Sequence, residues 1–180
     1  IVELAAQTLP EAKFLVVESR SSLSDAERRT GIDLSRYPNL TRVGLQKDMG
    51  AVFAATKVLL ALSLWHDSGP RVSVEALSMG IPAVVTNRGG LPELVGDAGI
   101  VIDPPEPLVR DHWLVPPLTD AIPWVEVLRT LLTDDETYQH YHLASLERWK
   151  EHDPALRLPA IVAQLETLVS EVKAQAATRA

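Results

Sequence analysis

A chain of 180 residues has room for one substantial hydrophobic core, and 46% apolar with 23% charged residues is the composition of a globular protein, not of a disordered or fibrous one. A net charge of −7 without a basic run removes the attraction that drives sequence-independent binding to phosphate backbones, so nucleic acid is not an expected partner. The absence of cysteine excludes disulfides, thiolate metal sites and a thiol nucleophile, and the longest apolar run, residues 58–65, is far shorter than the ~20 residues of a membrane-spanning helix.

Apolar residues recur at helical spacing from Ile1 to Leu9 and stop at Pro10, which predicts a helix; Phe14–Val17 predicts a strand. Ser24 stands where it can cap a short helix through Asp25–Arg29. Asn39–Gly44 reads as a second strand, and Asp48 as the cap of a helix carrying Met49, Val52, Phe53 and Ala54. Val58–Leu64 is apolar on both faces, as a central strand of a parallel sheet is, and is predicted to be the core strand. A helix over 71–79 ends at Gly80, where a left-handed cap suits a residue without Cβ. Ile81–Thr86 is the next strand, Pro92 opens a short helix through Val95, and Gly99–Asp103 forms a further strand.

The proline-rich stretch from Asp103 to Pro123 reads as a long loop or tether over the surface. From Trp124 the pattern is helical, with Val125, Leu128, Leu131 and Leu132 on one face, and a second helix runs from Glu136 to Trp149. The last segment sets Ile161, Leu165, Leu168, Val169 and Val172 along a stripe that must pack on something, and the Ala-rich end from Ala174 is expected to fray.

Strands alternating with helices across short turns predict an α/β fold with a doubly wound parallel, Rossmann-like sheet, whose ligands sit at the strands' C-terminal ends. The informative stretch is 64–100, read as strand, loop, helix, strand, Gly-Gly loop, helix. Gly69 lets the chain approach a ligand closely, and the helix behind it points free N–H groups and its positive dipole end into the same crevice, which makes an anion site. Asp67 in the loop and Glu75 on the helix can accept hydrogen bonds from hydroxyls of sugar or ribose, and Arg71 can face phosphate oxygens.

From Asp67 to Gly99 the sequence resembles the motif region of group 1 (family 4) glycosyltransferases of the two-Rossmann-domain, GT-B type. The run Leu77–Val85 matches that family's Ala-x-Gly-x-Pro-Val-Val pattern, and Gly89–Val95 matches its Gly-Gly-x-x-Glu-x-Val pattern. The family carries two glutamates eight positions apart, one near the donor sugar and one on the ribose hydroxyls; the matching residues are Asp67 and Glu75. Asp67 is one methylene shorter than the glutamate it matches. The resemblance extends to Leu40–Gly44 and the following Leu45–Lys47, the loop that borders the base in such enzymes.

The resemblance implies a retaining transfer, of hexosyl type, from a nucleoside diphosphate sugar to an acceptor. Asp67 and Glu75 are then the catalytic pair, and Asp67, Ser68, Gly69, Pro70, Arg71, Glu75, Gly44, Gln46, Gly89 and Gly90 hold the donor. It implies no cofactor and no required metal, the donor being substrate. Residues 1–150 are expected to form the donor domain without its first strand, and 151–180 a helix packing on it or on an N-terminal acceptor domain outside this sequence. On that reading the chain is a fragment inactive alone, cytoplasmic, from a parent that can associate peripherally with a membrane. An epimerase on the same architecture and a non-catalytic sugar-nucleotide-binding module are the alternatives.

Other residues carry plainer expectations. His66 is read as partly buried, Trp65 and Trp113 as core packing ahead of stacking on a base or sugar, and Arg20 and Arg88 as solvated loop charges or phosphate contacts. His140 and His142 lie two apart on a helix and so face apart, which gives no metal site.

Overall fold

The structure, a computed structural model, describes residues 1–18 and 23–178, with side chains described as far as residue 176. Arg20 lies outside the described residues. The expected alternation is present: α1 (Val2–Thr8), β1 (Phe14–Val17), α2 (Leu23–Thr30), β2 (Leu40–Val43), α3 (Met49–Ala54), β3 (Leu59–Ala61), α4 (Arg71–Ser78), β4 (Ala83–Thr86), α5 (Leu91–Val95) and β5 (Gly99–Ile102). There follow α6 (Glu106–Arg110), α7 (Ile122–Thr133), α8 (Asp135–Trp149) and α9 (Pro154–Thr178). Among the described residues the strand pairs are parallel, in two sheets of order β1-β2 and β3-β4-β5.

The buried centre is β4, not β3. All four β4 residues are buried, whereas β3 is half-buried and stands at an edge of its sheet. Both runs are apolar on two faces, so periodicity alone does not separate them. Around β4, Leu77 of α4 and Leu91 and Val95 of α5 pack on one side, while Trp124 and Leu131 of α7 pack with Val84 on the other. Each such side chain contributes about 1.5–3 kcal/mol when fully buried.

Helix ends follow the sequence. Asp48 accepts from Gly50 N at 2.9 Å and caps α3, Gly80 closes α4 at φ +66, and Pro92 sits in the first turn of α5. Asn39 reaches the carbonyls of Ala6, Leu9 and Ala12, each at 3.1 Å, which occupies acceptors left open where α1 ends and fixes the entry to β1. Ser24 is not a cap: α2 begins at Leu23, and the Ser24 hydroxyl instead accepts from Arg42, which also pairs with Glu27 and Glu18.

Residues 103–123 are not one long loop. Pro107 lies in the first turn of α6, where its missing N–H leaves no bond unmade, and a 3-10 turn spans Leu118–Ala121. The final helix runs on through the Ala-rich segment to Thr178 despite Pro159 inside it, and from Pro154 to residue 176 all its side chains are exposed. Among the described residues no helix is long and apolar enough to cross a membrane.

Candidate functional site

At the C-terminal edge of the three-stranded sheet, the loop from Leu62 to Pro70 leads from β3 into α4, and the turn Asn87–Gly90 leads from β4 into α5. The two touch. Gly90 N donates to Asp67 O at 2.7 Å, and a Cβ on Gly89 would lie 2.7 Å from Asp67 N. Gly89 has φ +55, so both its conformation and its packing require glycine; at Gly90 a Cβ would lie 2.8 Å from the Ser68 carbonyl carbon. The Gly-Gly pair is therefore a buttress beneath the Asp67–Ser68 backbone. Gly69 carries no such constraint, since a Cβ there would meet only Leu94 Cδ1 at 3.8 Å.

Asp67 is exposed, and its Oδ1 accepts from Gly69 N at 3.1 Å, an Asx turn that shapes the loop without capping the helix. The cap position belongs to Pro70, which has no side-chain acceptor, and among the described residues no side chain caps α4. Arg71 and Glu75, four residues apart, share one face of α4 and are both exposed. Ser73 in the same first turns is fully buried, and its hydroxyl has no partner among the described residues. Gly44 and Gln46 follow β2 in the other sheet, both exposed, and Gln46 turns back to donate to Gly44 O at 2.7 Å, not toward the Asp67 loop.

Several neighbours escape a reading by motif. Thr86, buried at the end of β4, donates from Oγ1 to Ser63 O and ties that strand to the start of the Asp67 loop. Asn87 Nδ2 donates to Asp103 Oδ1 at 2.8 Å and joins the ends of β4 and β5. The signal that could have found them is position, immediately after parallel strands at the edge where such sheets bind ligands.

Three expectations change here, at His66, Trp65 and Trp113. His66 is exposed, not partly buried. Trp65 is 74% and Trp113 51% exposed, so neither fills the core; Trp65 lies tilted against His112, and Arg29 covers the Trp113 ring at 4.3 Å. Arg88 is half-buried, and its Nε is buried without a partner among the described residues. His142 bonds the Gly80 carbonyl at 2.6 Å through Nδ1, which serves the end of α4, while His140 edges onto Tyr141.

Behind the site, α8 holds both framing helices by their backbones. Besides the His142 bond, Arg148 Nε donates to Leu94 O at 3.0 Å, and its Nη2 donates to Glu93 O. The N-terminus of α4 thus carries no side-chain cap, and the carboxylates of Asp67 and Glu75 are both exposed.

Residues 1–134 match the family described as glycosyl transferases group 1. The D-inositol 3-phosphate glycosyltransferase of Corynebacterium efficiens is 29% identical over 127 residues, 69% of this chain and 26% of that protein. The O-antigen chain mannosyltransferase B of Escherichia coli is 40% identical over 58 residues, 32% of this chain and 15% of that one. Anabaena HepE, solved in complex with UDP-glucose, superposes with a TM-score of 0.69 at 18% identity over 94% of this chain and 44% of that one, a likeness of fold. The chain thus spans about a quarter or less of these curated relatives. With a parallel α/β fold, a buttressed Asp67 loop and a family match over most of its length, the chain belongs to the group 1 glycosyltransferases.

Proposed function

We propose that this chain is the donor-binding part of a retaining glycosyltransferase that takes a hexosyl group from a nucleoside diphosphate sugar. The observation that carries the reading is the pairing of an uncapped α4 mouth with an Asp67 loop held in place by Gly89 and Gly90. The diphosphate sits at the helix mouth with Arg71, where N–H groups and the helix dipole stabilise its charge. Glu75 accepts from ribose hydroxyls and Asp67 from the donor sugar, through water where its shorter side chain falls short. Ser68, Gly69, Pro70, Gly89 and Gly90 supply backbone around the donor, and Gly44 and Gln46 border the base.

In the transfer the bond from the sugar's anomeric carbon to the diphosphate breaks, and its electron pair leaves on the phosphate oxygen. The acceptor hydroxyl attacks on the same face and gives its proton to that departing oxygen. The hexosyl assignment draws support from the named mannosyltransferase relative and from the UDP-glucose complex of HepE. In this reading residues 1–150 form a donor domain short of one strand, and 151–180 form a helix that packs on that domain or on an acceptor domain. The enzyme is cytoplasmic, its parent polypeptide can associate peripherally with a membrane, and residues 1–180 alone perform no transfer.

Titration of the chain with UDP, GDP and ADP by calorimetry tests the reading, with one nucleotide bound weakly. Turnover by residues 1–180 alone would overturn the fragment reading. No nucleotide binding by the full parent polypeptide would overturn the transferase reading, and release of a changed sugar without an acceptor would identify an epimerase.

A further inference from the structure

The chain holds four tryptophans, and they divide by burial. Trp124 is fully buried and Trp149 packs against the cluster around Leu77, whereas Trp65 and Trp113 are exposed. The two exposed rings are not scattered. Trp65 lies tilted against His112 with 5.9 Å between ring centroids, and Trp113 follows His112 in sequence. They come from segments far apart in the chain, the loop from β3 into α4 and the residues after α6.

Both are held in place. His112 Nδ1 donates to Leu108 O at 3.1 Å, and Trp113 N donates to Asp111 Oδ1 at 2.9 Å, an Asx turn that follows α6. Arg29 of α2 covers one face of the Trp113 ring. Trp65 N donates to Ser63 Oγ at 3.3 Å, and the Ser63 carbonyl in turn accepts from buried Thr86. An exposed aromatic ring on a fixed backbone offers a flat apolar contact that needs little further ordering. Polar residues interleave with the rings: His66 and Asp67 follow Trp65, Asp111 and His112 precede Trp113, and all four are exposed. That mixture is unlike the core of a protein interface, which is depleted in charge. It suits a ligand with apolar C–H faces and a rim of hydroxyls, and a pyranose ring has both.

We propose that Trp65 and Trp113, joined by His112, form a stacking platform for the sugar rings of a saccharide acceptor. Only two residues, at most about 7 Å of chain, separate Trp65 from Asp67. The inference rests on the reading of Asp67 as a contact of the donor sugar, because a platform beside Asp67 lies where the attacking hydroxyl must arrive. That same reading gives the base to Gly44 and Gln46, which follow a strand of the other sheet. The saccharide lays its C–H faces on the indoles, and its hydroxyls bond His66 and the Nε2 of His112.

Saturation-transfer NMR on the full 180-residue chain, with cellotriose, maltotriose and mannotriose at millimolar concentration, tests the platform. At least one saccharide is expected to bind through its ring C–H protons. Trp65→Ala is expected to weaken it by about tenfold, and Trp65→Tyr, which keeps an aromatic ring, to retain most of the affinity. Thermal melts of both variants are expected to match wild type, since the ring is exposed. If a variant does not fold, oxidation of the wild-type indoles by N-bromosuccinimide decides, and the bound saccharide is expected to slow it. No transfer to any of the three saccharides, equal affinity in Trp65→Ala, or protection of the indoles by UDP in place of a saccharide would overturn the proposal. So would protection that grows with protein concentration alone, the mark of a second copy on the patch. Calorimetry with UDP, GDP and ADP on the same samples reports separately on the donor reading: a nucleotide bound without any saccharide sinks the platform alone.

Discussion

Gly90 and Asp67 meet through their main chains, the Gly90 N–H donating to the Asp67 carbonyl at 2.7 Å, so the position of the candidate catalytic carboxylate is set by a turn that follows a different strand. A change in that turn should be felt at the carboxylate before it is felt in the core.

Gly89→Ala should therefore lower both stability and nucleotide affinity. The strain of φ +55 and a Cβ 2.7 Å from Asp67 N together correspond to about 1–3 kcal/mol, or loss of the loop's conformation. Gly69→Ala, where a Cβ would meet only Leu94 Cδ1 at 3.8 Å, should change stability by no more than about 0.5 kcal/mol. Thermal melts of the two variants side by side check the contrast; equal losses would remove the buttress from the account.

Glu75→Ala should leave the melting temperature nearly unchanged, because the side chain is exposed, and weaken nucleotide binding. A charge-assisted hydrogen bond of about 1.5–3 kcal/mol corresponds to roughly a tenfold to hundredfold loss of affinity. Calorimetry with the preferred nucleotide measures it, and affinity equal to wild type would take Glu75 out of the site.

Asp134 caps α8, accepting from Glu136 N at 3.1 Å and from Thr137 Oγ1 at 2.6 Å. The Thr137 hydroxyl, and then the backbone amides, hold its carboxyl below the ordinary value of 3.8. A depressed carboxyl contributes stability that is present above its unfolded value and lost as pH falls through the lower folded value. Asp134→Ala should accordingly lower Tm at pH 7, and the gap to wild type should close under strong acid. A gap independent of pH would show that the carboxylate's charge plays no part.

Trp124 is fully buried among Val84, Leu131 and their neighbours. Trp124→Ala should cost about 3–5 kcal/mol, read as a lower urea midpoint. A loss under about 1 kcal/mol would mean that the α7 face of the sheet is not a packed core.

The stretch from α4 to β5 is the most legible part of the sequence, because its helix ends carry their own marks: Gly80 at φ +66 and Pro92 in a first turn. Pairing between distant segments is less legible. Periodicity tells which faces of β3 are apolar but not that one of its edges lies open, so β4 takes the buried centre that the Val58–Leu64 run suggests for β3. Pro105 and Pro107 read as breakers, yet a proline in a first turn starts a helix as readily as it ends one. The exposure of Trp65 depends on what lies against its ring, and composition does not record that. The Asp67 loop is marked by its motif, while its support by Gly89 and Gly90 appears only once two remote loops are seen in contact.

The grip of α8 on the carbonyls of Gly80, Glu93 and Leu94 bears on how the faces of α4 and α5 can change over generations. A carbonyl is the same whatever side chain sits on its residue. The exposed side chains of α4 and α5 are thus free to change, while His142 and Arg148 keep their hold on the two helices.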